Sequence, residues 1–363
     1  MTVNDDKLRT IALHEDGWRV TIIDQTRLPG QLHRVVLDSL ELAARAIAEM
    51  WVRGAPLIGA TAAYGLALAM RHDSSDASLA SACDSLLATR PTAVNLRWSV
   101  EAGRDTLSPL APPERELRAY QFANALAEAD VETNAAIGRH GAHILQGMAR
   151  HSPAGRPINI LTHCNAGWLA TVGWGTALAP IYAAQMQGID CHVWVDETRP
   201  RNQGAHLTAW ELDNAGVAHT VIVDNAGGHL MQRGDVDICI VGSDRTAANG
   251  DVCNKIGTYL KALAARDNNI PFYVALPSST VDWQCNSGRD IPIEHRAPDE
   301  VTHVEGIAEA GETVRVRTVH ARSKVSNPAF DVTPAACVSG LITERGVCAA
   351  SREGLQSLFP EHA

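Results

Sequence analysis

The sequence predicts an α/β protein: a mostly helical N-terminal domain with a small β element over residues 1–150, then a Rossmann-like parallel-sheet domain over residues 151–363. Three observations predict it. Beyond residue 157, short apolar runs ("INILTH", "CHVWVDE", "HTVIVD", "VDICIVG", "PFYVAL") are mostly separated by helical patterns, the signature of βαβ units. Before residue 150 the apolar residues recur largely at helical spacing. With 363 residues, 45% of them hydrophobic, the chain can bury one large core or two modest ones.

The elements follow in order. In "TIALHEDGWRVTIID" two β-rich runs flank Asp16-Gly17, a hairpin signal. Leu40, Ala43, Ala44, Ile47 and Trp51 fall at helical spacing, and Asp38 with Glu41 predicts a capping box. Arg53-Gly54-Ala55 precedes Pro56, expected as a first helical residue, and the helix after it is rich in Ala and Gly, so something packs closely against it. Two or three further helices are expected over residues 75–150, and "HSPAGRP" reads as a linker.

In a parallel sheet, ligands bind at the carboxyl ends of the strands, near a topological switch point. Polar residues stand at each such end here: Cys164, Asp196 to Arg199, Asp224-Asn225, Ser243 to Arg245, and Pro277 to Thr280. Each set taken alone reads equally as caps and turns. A lone cysteine is more often core than catalytic. The stretch "VGSDRTAANGDVCNKIGTYLKAL" asks for more, since it reads as a long polar loop carrying Asp244, Arg245, Asn249, Asp251, Asn254 and Lys255. Lys255 is expected in the first turn of the following helix, where a lysine and backbone N–H groups make a phosphate cradle. Arg53 with two small residues at a helix start allows close approach of an anion. Arg90 reads from its own context as a solvated charge, and Gln203 as a cap.

Composition narrows the function. Net charge is −10 and the basic residues are scattered, which sets nucleic-acid binding aside. No apolar run reaches the ~18–20 residues that span a bilayer, and the first ten residues lack the basic and apolar blocks of a leader, so a cytoplasmic protein is expected. Eight cysteines without a CxxC pair argue against a zinc site or a disulfide scaffold. There is no GxGxxG after the first strand of the second half and no P-loop lysine motif, so a dinucleotide is not expected.

Six blocks are shared, in order, with a known family: "RGAP-IG" at 53–59, "RPTAVNL-W" at 90–98, "THCNAG-LAT" at 162–171, "DETRP--QG" at 196–204, "DR-AANGDV-NKIGTY" at 244–259 and "NPAFDVTP" at 327–334. Together they resemble the methylthioribose-1-phosphate isomerases of methionine salvage. The fold is shared with ribose-1,5-bisphosphate isomerases and with regulatory subunits of the eukaryotic initiation-factor exchange complex. The resemblance implies a homodimer that needs no metal and no organic cofactor and acts on a small sugar phosphate. It implies Cys164 and Asp244 as the catalytic pair, and Arg53, Gly54, Ala55, Arg90, Gln203, Asn254 and Lys255 as substrate contacts. Trp168 and Trp174 stand where smaller residues are expected and Cys253 where alanine is usual, so these positions are expected to line or support a 5-substituent pocket. 5-Deoxyribose 1-phosphate is then a second substrate within the same chemistry. A 5-phosphorylated sugar, or a regulatory role without catalysis, are the alternatives.

The chemistry so implied needs an acid at the ring oxygen, for which a buried Asp244 is suited. It also needs a group managing hydrogen movement from C2 to C1. Cys164 is the base of an enediol route, its thiolate favoured by a helix expected from Gly167 onward; a hydride shift is the rival. His163, as the chain neighbour of Cys164 on a strand end, is expected to point away from it.

Overall fold

The computed structural model describes residues 9–90, 93–151, 153 and 155–362. Residues 1–8, on which the leader reading partly rests, Pro91 and Thr92 of the "RPTAVNL" block, and Ser152 and Ala154 of the expected linker lie outside them.

The chain opens with an antiparallel sheet of β1 (Ile11–Leu13), β2 (Val20–Asp24) and β3 (His33–Leu37). The Asp16-Gly17 turn forms as expected. Gly17 takes φ +78°, and the Asp16 carboxylate accepts from the Trp18 and Arg19 N–H groups. The third strand escaped the sequence reading because its first half, His33-Arg34, is polar and exposed. Helix α1 (Leu40–Ala48) is capped by Ser39, whose Oγ accepts from the Leu42 N–H at 3.3 Å. The cap is therefore one residue later than the Asp38 box expected from sequence, and Trp51 lies beyond the helix.

Helices α2 (Ala55–His72), α3 (Asp76–Thr89), α4 (Val94–Leu107) and α5 (Pro112–Ala149) follow. Every residue of α2 from Leu57 to Met70 is buried. Its small residues make that possible: a Cβ on Gly65 would stand 3.2 Å from Leu86. Helix α5, at 38 residues, serves two cores. Ala119, Ala123 and Ala127 pack with α2, and Ile137, Ala142 and Leu145 pack under the large sheet.

The second half comprises β4 (Ile158–Thr162), α6 (Ala179–Met186), β5 (Cys191–Asp196), α7 (Ala209–Asn214), β6 (Ala218–Ile222), α8 (Ala226–Arg233), β7 (Ile238–Val241), β8 (Arg245–Ala247), β9 (Val252–Lys255), α9 (Thr258–Asp267), β10 (Phe272–Ala275), β11 (Val281–Asp282), α10 (Asp299–Thr302), β12 (His303–Ile307), β13 (Thr313–Arg317), β14 (Phe330–Thr333), β15 (Gly340–Thr343), β16 (Gly346–Cys348) and α11 (Arg352–Leu358). Seven strands form one sheet in the order β16-β15-β10-β7-β4-β5-β6, parallel except for β16. The chain runs outward from β4 to β6 and then returns to β7 on the other side of β4. The β4/β7 boundary is the switch point where such sheets open a crevice.

Two expectations fail here. The stretch 241–263 is not a long loop. It folds into β8 and β9 of a second sheet, ordered β11-β8-β9-β14, and Lys255 ends a strand three residues before α9 begins. Alternating polar and small residues hid the strands. Nor does a helix start at Gly167: Trp168–Ala170 is a single tight turn, and the next helix begins at Ala179. Among the described residues, no helix is long and apolar enough to cross a membrane.

The cap assignment is testable by urea unfolding. Ser39→Ala should destabilise by about 1 kcal/mol, the usual cost of losing an N-cap side chain, whereas Asp38→Ala should leave the midpoint nearly unchanged. The reverse order would restore the cap read from sequence.

Candidate active site

Two strand ends define the site. Cys164 follows β4 and Asp244 follows β7, so the switch point sets them on either side of one crevice. A cavity of about 1020 Å³ opens there. All nine residues named from sequence line it: Arg53, Gly54, Ala55, Arg90, Cys164, Gln203, Asp244, Asn254 and Lys255. The cations therefore reach one space from three segments: the start of α2, the end of α3, and β9.

Cys164 sits in the left-handed region at φ +67°, which is costly for a residue with a Cβ. Two threonine hydroxyls hold it there. Its N–H donates to Thr198 Oγ1 at 2.8 Å, and its carbonyl accepts from Thr208 Oγ1 at 2.7 Å. Burial pushes the thiol up, Arg53 and Lys255 pull it down, and Asp244 adds to the rise. The helix start expected to favour a thiolate is missing, so the two cations and a backbone hydrogen bond from Asn165 work against burial. Burial likewise pushes the Asp244 carboxyl up, against Lys255, Arg90 and Arg53. Lys255, itself buried, is pushed down, with the Cys164 and Asp244 charges opposing. Its Nζ lies 4.6 Å from the Phe330 ring centroid.

Arg53 is aimed by Asn165. Its guanidinium donates to Asn165 Oδ1 and, at 2.6 Å, to the Asn165 carbonyl. Asn165 Nδ2 in turn donates to Glu211 Oε1 at 2.9 Å. Glu211 is fully buried and takes three more donors: the Leu169 N–H on Oε1, and the Trp168 N–H and Tyr182 hydroxyl on Oε2. Burial pushes its carboxyl up to about 7, against those four hydrogen bonds. Gly54 must be glycine. It has φ +89°, and a Cβ would stand 2.3 Å from the Ala170 carbonyl oxygen. Arg90 faces Glu294 at 3.5 Å, and Glu294 is shared with Arg296 at 2.9 Å.

His163 is buried and engages Asp196 and the Ile256 carbonyl, each at 2.8 Å. His163, Asp196 and Asp224 offer ligand-type atoms within 4.8 Å of one another, but Lys261 Nζ stands 3.1 Å from Asp196 and supplies a cation there. Trp168 and Trp174 are not on the cavity wall: Trp168 packs against Trp210 at 5.8 Å, and Trp174 packs against the same core. Cys253 is buried among Ala247, Cys285 and Ile291. The apolar part of the wall comes instead from Leu28, Met50, Trp51, Leu207, Val314 and Phe330.

Residues 51–350 match the Initiation factor 2 subunit family. The chain is 60% identical to the methylthioribose-1-phosphate isomerase of Rhizobium meliloti (strain 1021), over 99% of this chain and 100% of that one. The chain belongs to the methylthioribose-1-phosphate isomerase family. Among solved structures it is similar to 5-methylthioribose 1-phosphate isomerase from Pyrococcus horikoshii OT3, with a TM-score of 0.84 at 39% identity over 99% of this chain and 100% of that one. It is also similar to translation initiation factor eIF-2B subunit delta from A. fulgidus, with a TM-score of 0.80 at 40% identity over 97% and 99%. As a member of this isomerase family the chain is an enzyme, an aldose–ketose isomerase.

Asn165, Thr198, Thr208 and Glu211 were not singled out from sequence. Asn165 and Thr198 lay inside quoted motifs. Glu211 looked like any helix surface acid, and only its apolar neighbours Trp210 and Leu212 hinted at burial.

Both Glu211 oxygens accept a backbone N–H, so an amide cannot satisfy both whichever way it turns. Glu211→Gln should therefore destabilise by about 1–3 kcal/mol, the cost of one buried donor left unpaired. The wild-type carboxyl, raised from 4.5 to about 7, contributes stability that is full below pH 4.5 and is lost as pH rises through 7. The gap between variant and wild type should thus be widest at acid pH. Thermal unfolding across that range checks this, and a gap that widens with rising pH would refute it.

Proposed function

We propose that the enzyme converts 5-methylthioribose 1-phosphate into 5-methylthioribulose 1-phosphate, a step of methionine salvage in the cytoplasm, and that it also accepts 5-deoxyribose 1-phosphate. The observation that carries this reading is one cavity holding a thiol and a carboxyl from opposite sides of the switch point, with Arg53, Arg90 and Lys255 lining the same cavity. Three cations suit a phosphate dianion. The relatives named for this reaction add support.

The anomeric phosphate keeps the sugar ring closed and leaves no free aldehyde to enolise. Asp244, whose protonated form burial favours, donates its proton to the ring oxygen as the C1–O4 bond breaks. Cys164, as thiolate, removes the proton from C2, and the electron pair forms the C1–C2 double bond while the phosphate ester stays on C1. The thiol then returns its proton to C1 as the Asp244 carboxylate takes the proton of the C2 hydroxyl. The ketose forms and both groups are reset. Arg53 and Lys255, which favour the thiolate, are the same groups that meet the phosphate.

The apolar wall from Leu28 to Phe330 is suited to a methylthio or methyl end, in place of the Trp168 and Trp174 expected from sequence. A pocket of that kind discriminates a missing apolar group by only about 1–3 kcal/mol, which supports use of both sugars. The homodimer has a surface to form on. Val221 and Val223 at the open edge strand, and Leu260 and Leu263 on α9, are exposed apolar residues, and Lys261 of α9 bonds the Asp224 carbonyl beside them.

Cys164→Ser should abolish most turnover while still binding substrate, because a hydroxyl is a far poorer base at neutral pH. Near-normal turnover would make the thiol a packing residue. In wild type, the proton held by the thiol exchanges with solvent before its return, so solvent deuterium should enter C1 of the product. If none does, a hydride shift replaces the enediol.

The pH dependence of kcat/KM tests the pair together. It should be bell-shaped, since one partner must hold a proton while the other has lost it. Burial raises both groups, so both limbs should lie above the usual values for a free carboxyl and a free thiol. Asp244→Asn should lose activity and one limb. A flat profile would exclude a coupled acid and base.

A further inference from the structure

Gln25 stands directly after β2, in the small N-terminal sheet, on the cavity wall. It is 4% exposed. Its backbone N–H donates to the Trp51 carbonyl at 2.9 Å, which ties it to the segment leading into Arg53-Gly54-Ala55. Its side-chain Nε2 donates to the Leu169 carbonyl at 2.7 Å, on the tight turn beyond Cys164. That contact fixes the amide. A carbonyl only accepts, so the nitrogen must face Leu169, and Oε1 is turned the other way. There Oε1 is buried and has no hydrogen-bond partner.

A buried amide oxygen without a donor is unfavourable until a ligand provides one. Two further wall residues share this state: Gln203 Oε1 and Asn202 Oδ1 are also buried without a partner. All three atoms are acceptors, and a phosphate bound by the cavity's cations cannot satisfy them, because it too only accepts. What they lack is a set of neutral donors. A sugar's hydroxyls are such a set, whereas its ring oxygen is not. Closed methylthioribose 1-phosphate carries hydroxyls at C2 and C3. Opening the ring turns O4 from a pure acceptor into a third hydroxyl, so the enediol has one donor for each of the three acceptors.

We infer that Gln25 is a substrate-binding residue, its amide oxygen accepting a hydrogen bond from the sugar's C3 or C4 hydroxyl, so that the N-terminal sheet takes part in recognising the sugar. This rests on the isomerase reading and extends it to a residue outside the six sequence blocks.

The test pairs a substitution with a change in the substrate. Gln25→Leu removes the acceptor at similar volume. Kinetics are run in the ketose-to-aldose direction with 5-methylthioribulose 1-phosphate, and affinities are measured for its 3-deoxy and 4-deoxy analogues. For wild type, deleting the paired hydroxyl should weaken binding by roughly tenfold, one hydrogen bond's worth. In Gln25→Leu that penalty should fall to near unity for one of the two analogues, and kcat/KM for the full sugar should drop by a similar factor. If both deoxy penalties match those of wild type, Gln25 only anchors the Leu169 turn and the inference is overturned; unchanged kinetics would overturn it equally. Should Gln25→Leu fail to fold, Gln25→Met, unbranched and close in length, is read in the same way. Wild-type protein that turns over neither sugar phosphate removes the isomerase reading and this inference with it, whereas wild-type turnover with unaltered penalties removes the inference alone.

Discussion

A buried carboxylate, Glu211, holds the site together. Its four donors come from the turn after Cys164, from Asn165 and from Tyr182 of α6. Through Asn165 it also orients Arg53, which belongs to the helical half. One fully desolvated group thus fixes the chain that carries the cysteine and links it to a cation from the other side of the cavity. Buried acids are tolerated only when their lone pairs are filled. That requirement explains why the turn at Trp168–Ala170 presents successive N–H groups to a single side chain rather than beginning a helix.

The charges around the cavity follow from the same economy of solvent. Arg53, Arg90 and Lys255 line one cavity, and burial pushes Lys255 down and both Cys164 and Asp244 up. Each shift expresses a preference for the neutral form, and each is opposed by a neighbour of opposite charge. An incoming phosphate changes this balance. It supplies the negative charge that the cations lack, so the Arg53 and Lys255 charges that favour a thiolate are partly spent on the ligand. On the proposed mechanism, the base is therefore set by competition between substrate phosphate and thiolate for the same two cations. Asp244 gains from that competition, because a dianion nearby favours its protonated form. On that proposal, phosphate binding prepares the acid more directly than the base.

Much of this was legible in the chain. The five apolar runs became parallel strands, and their order in the sheet put the end of the first beside the end of the fourth. The nine candidate site residues taken from the motifs all reached one cavity. What could not be read were features that exist only in three dimensions. The β8–β9 hairpin is short, polar and rich in turn-forming residues, so its strands carried no periodic signal. Lys255 was therefore placed on a helix when it ends a strand. Ser39 and Asp38 are both good caps, and local sequence does not choose between them. Trp168 and Trp174 were assigned to the ligand because bulk in a motif attracts attention, but bulk is what a core also needs. Gln25 carried no signal and Glu211 only the hint of its apolar neighbours, since their roles arise from partners 144 and 29–46 residues away.

Backbone strain gives a further reading of the same site. Among the described residues, six other than glycine take positive φ: Met50, Cys164, Trp174, Thr198, Asn202 and Asn269. Three of these, Met50, Cys164 and Asn202, line the cavity, and a fourth, Thr198, bonds Cys164 directly. A β-branched threonine is a poor choice for that conformation. Its hydroxyl is nonetheless committed to the Cys164 N–H, and its own N–H is taken by Asp224 at 2.7 Å. The left-handed bend at Cys164 turns the chain sharply at the strand end. A continued extended strand would leave its N–H and carbonyl to a neighbouring strand rather than to Thr198 and Thr208. Local propensity is overridden where the thiol must stand in the crevice, and the surrounding hydroxyls and carboxylates compensate for it. Such conflicts between local preference and tertiary placement concentrate at functional sites. Here Cys164, Thr198 and Asn202 fall on the side of the cavity built by β4 and the segment after β5, where the thiol stands, whereas Asp244, on the β7 side, takes no such conformation.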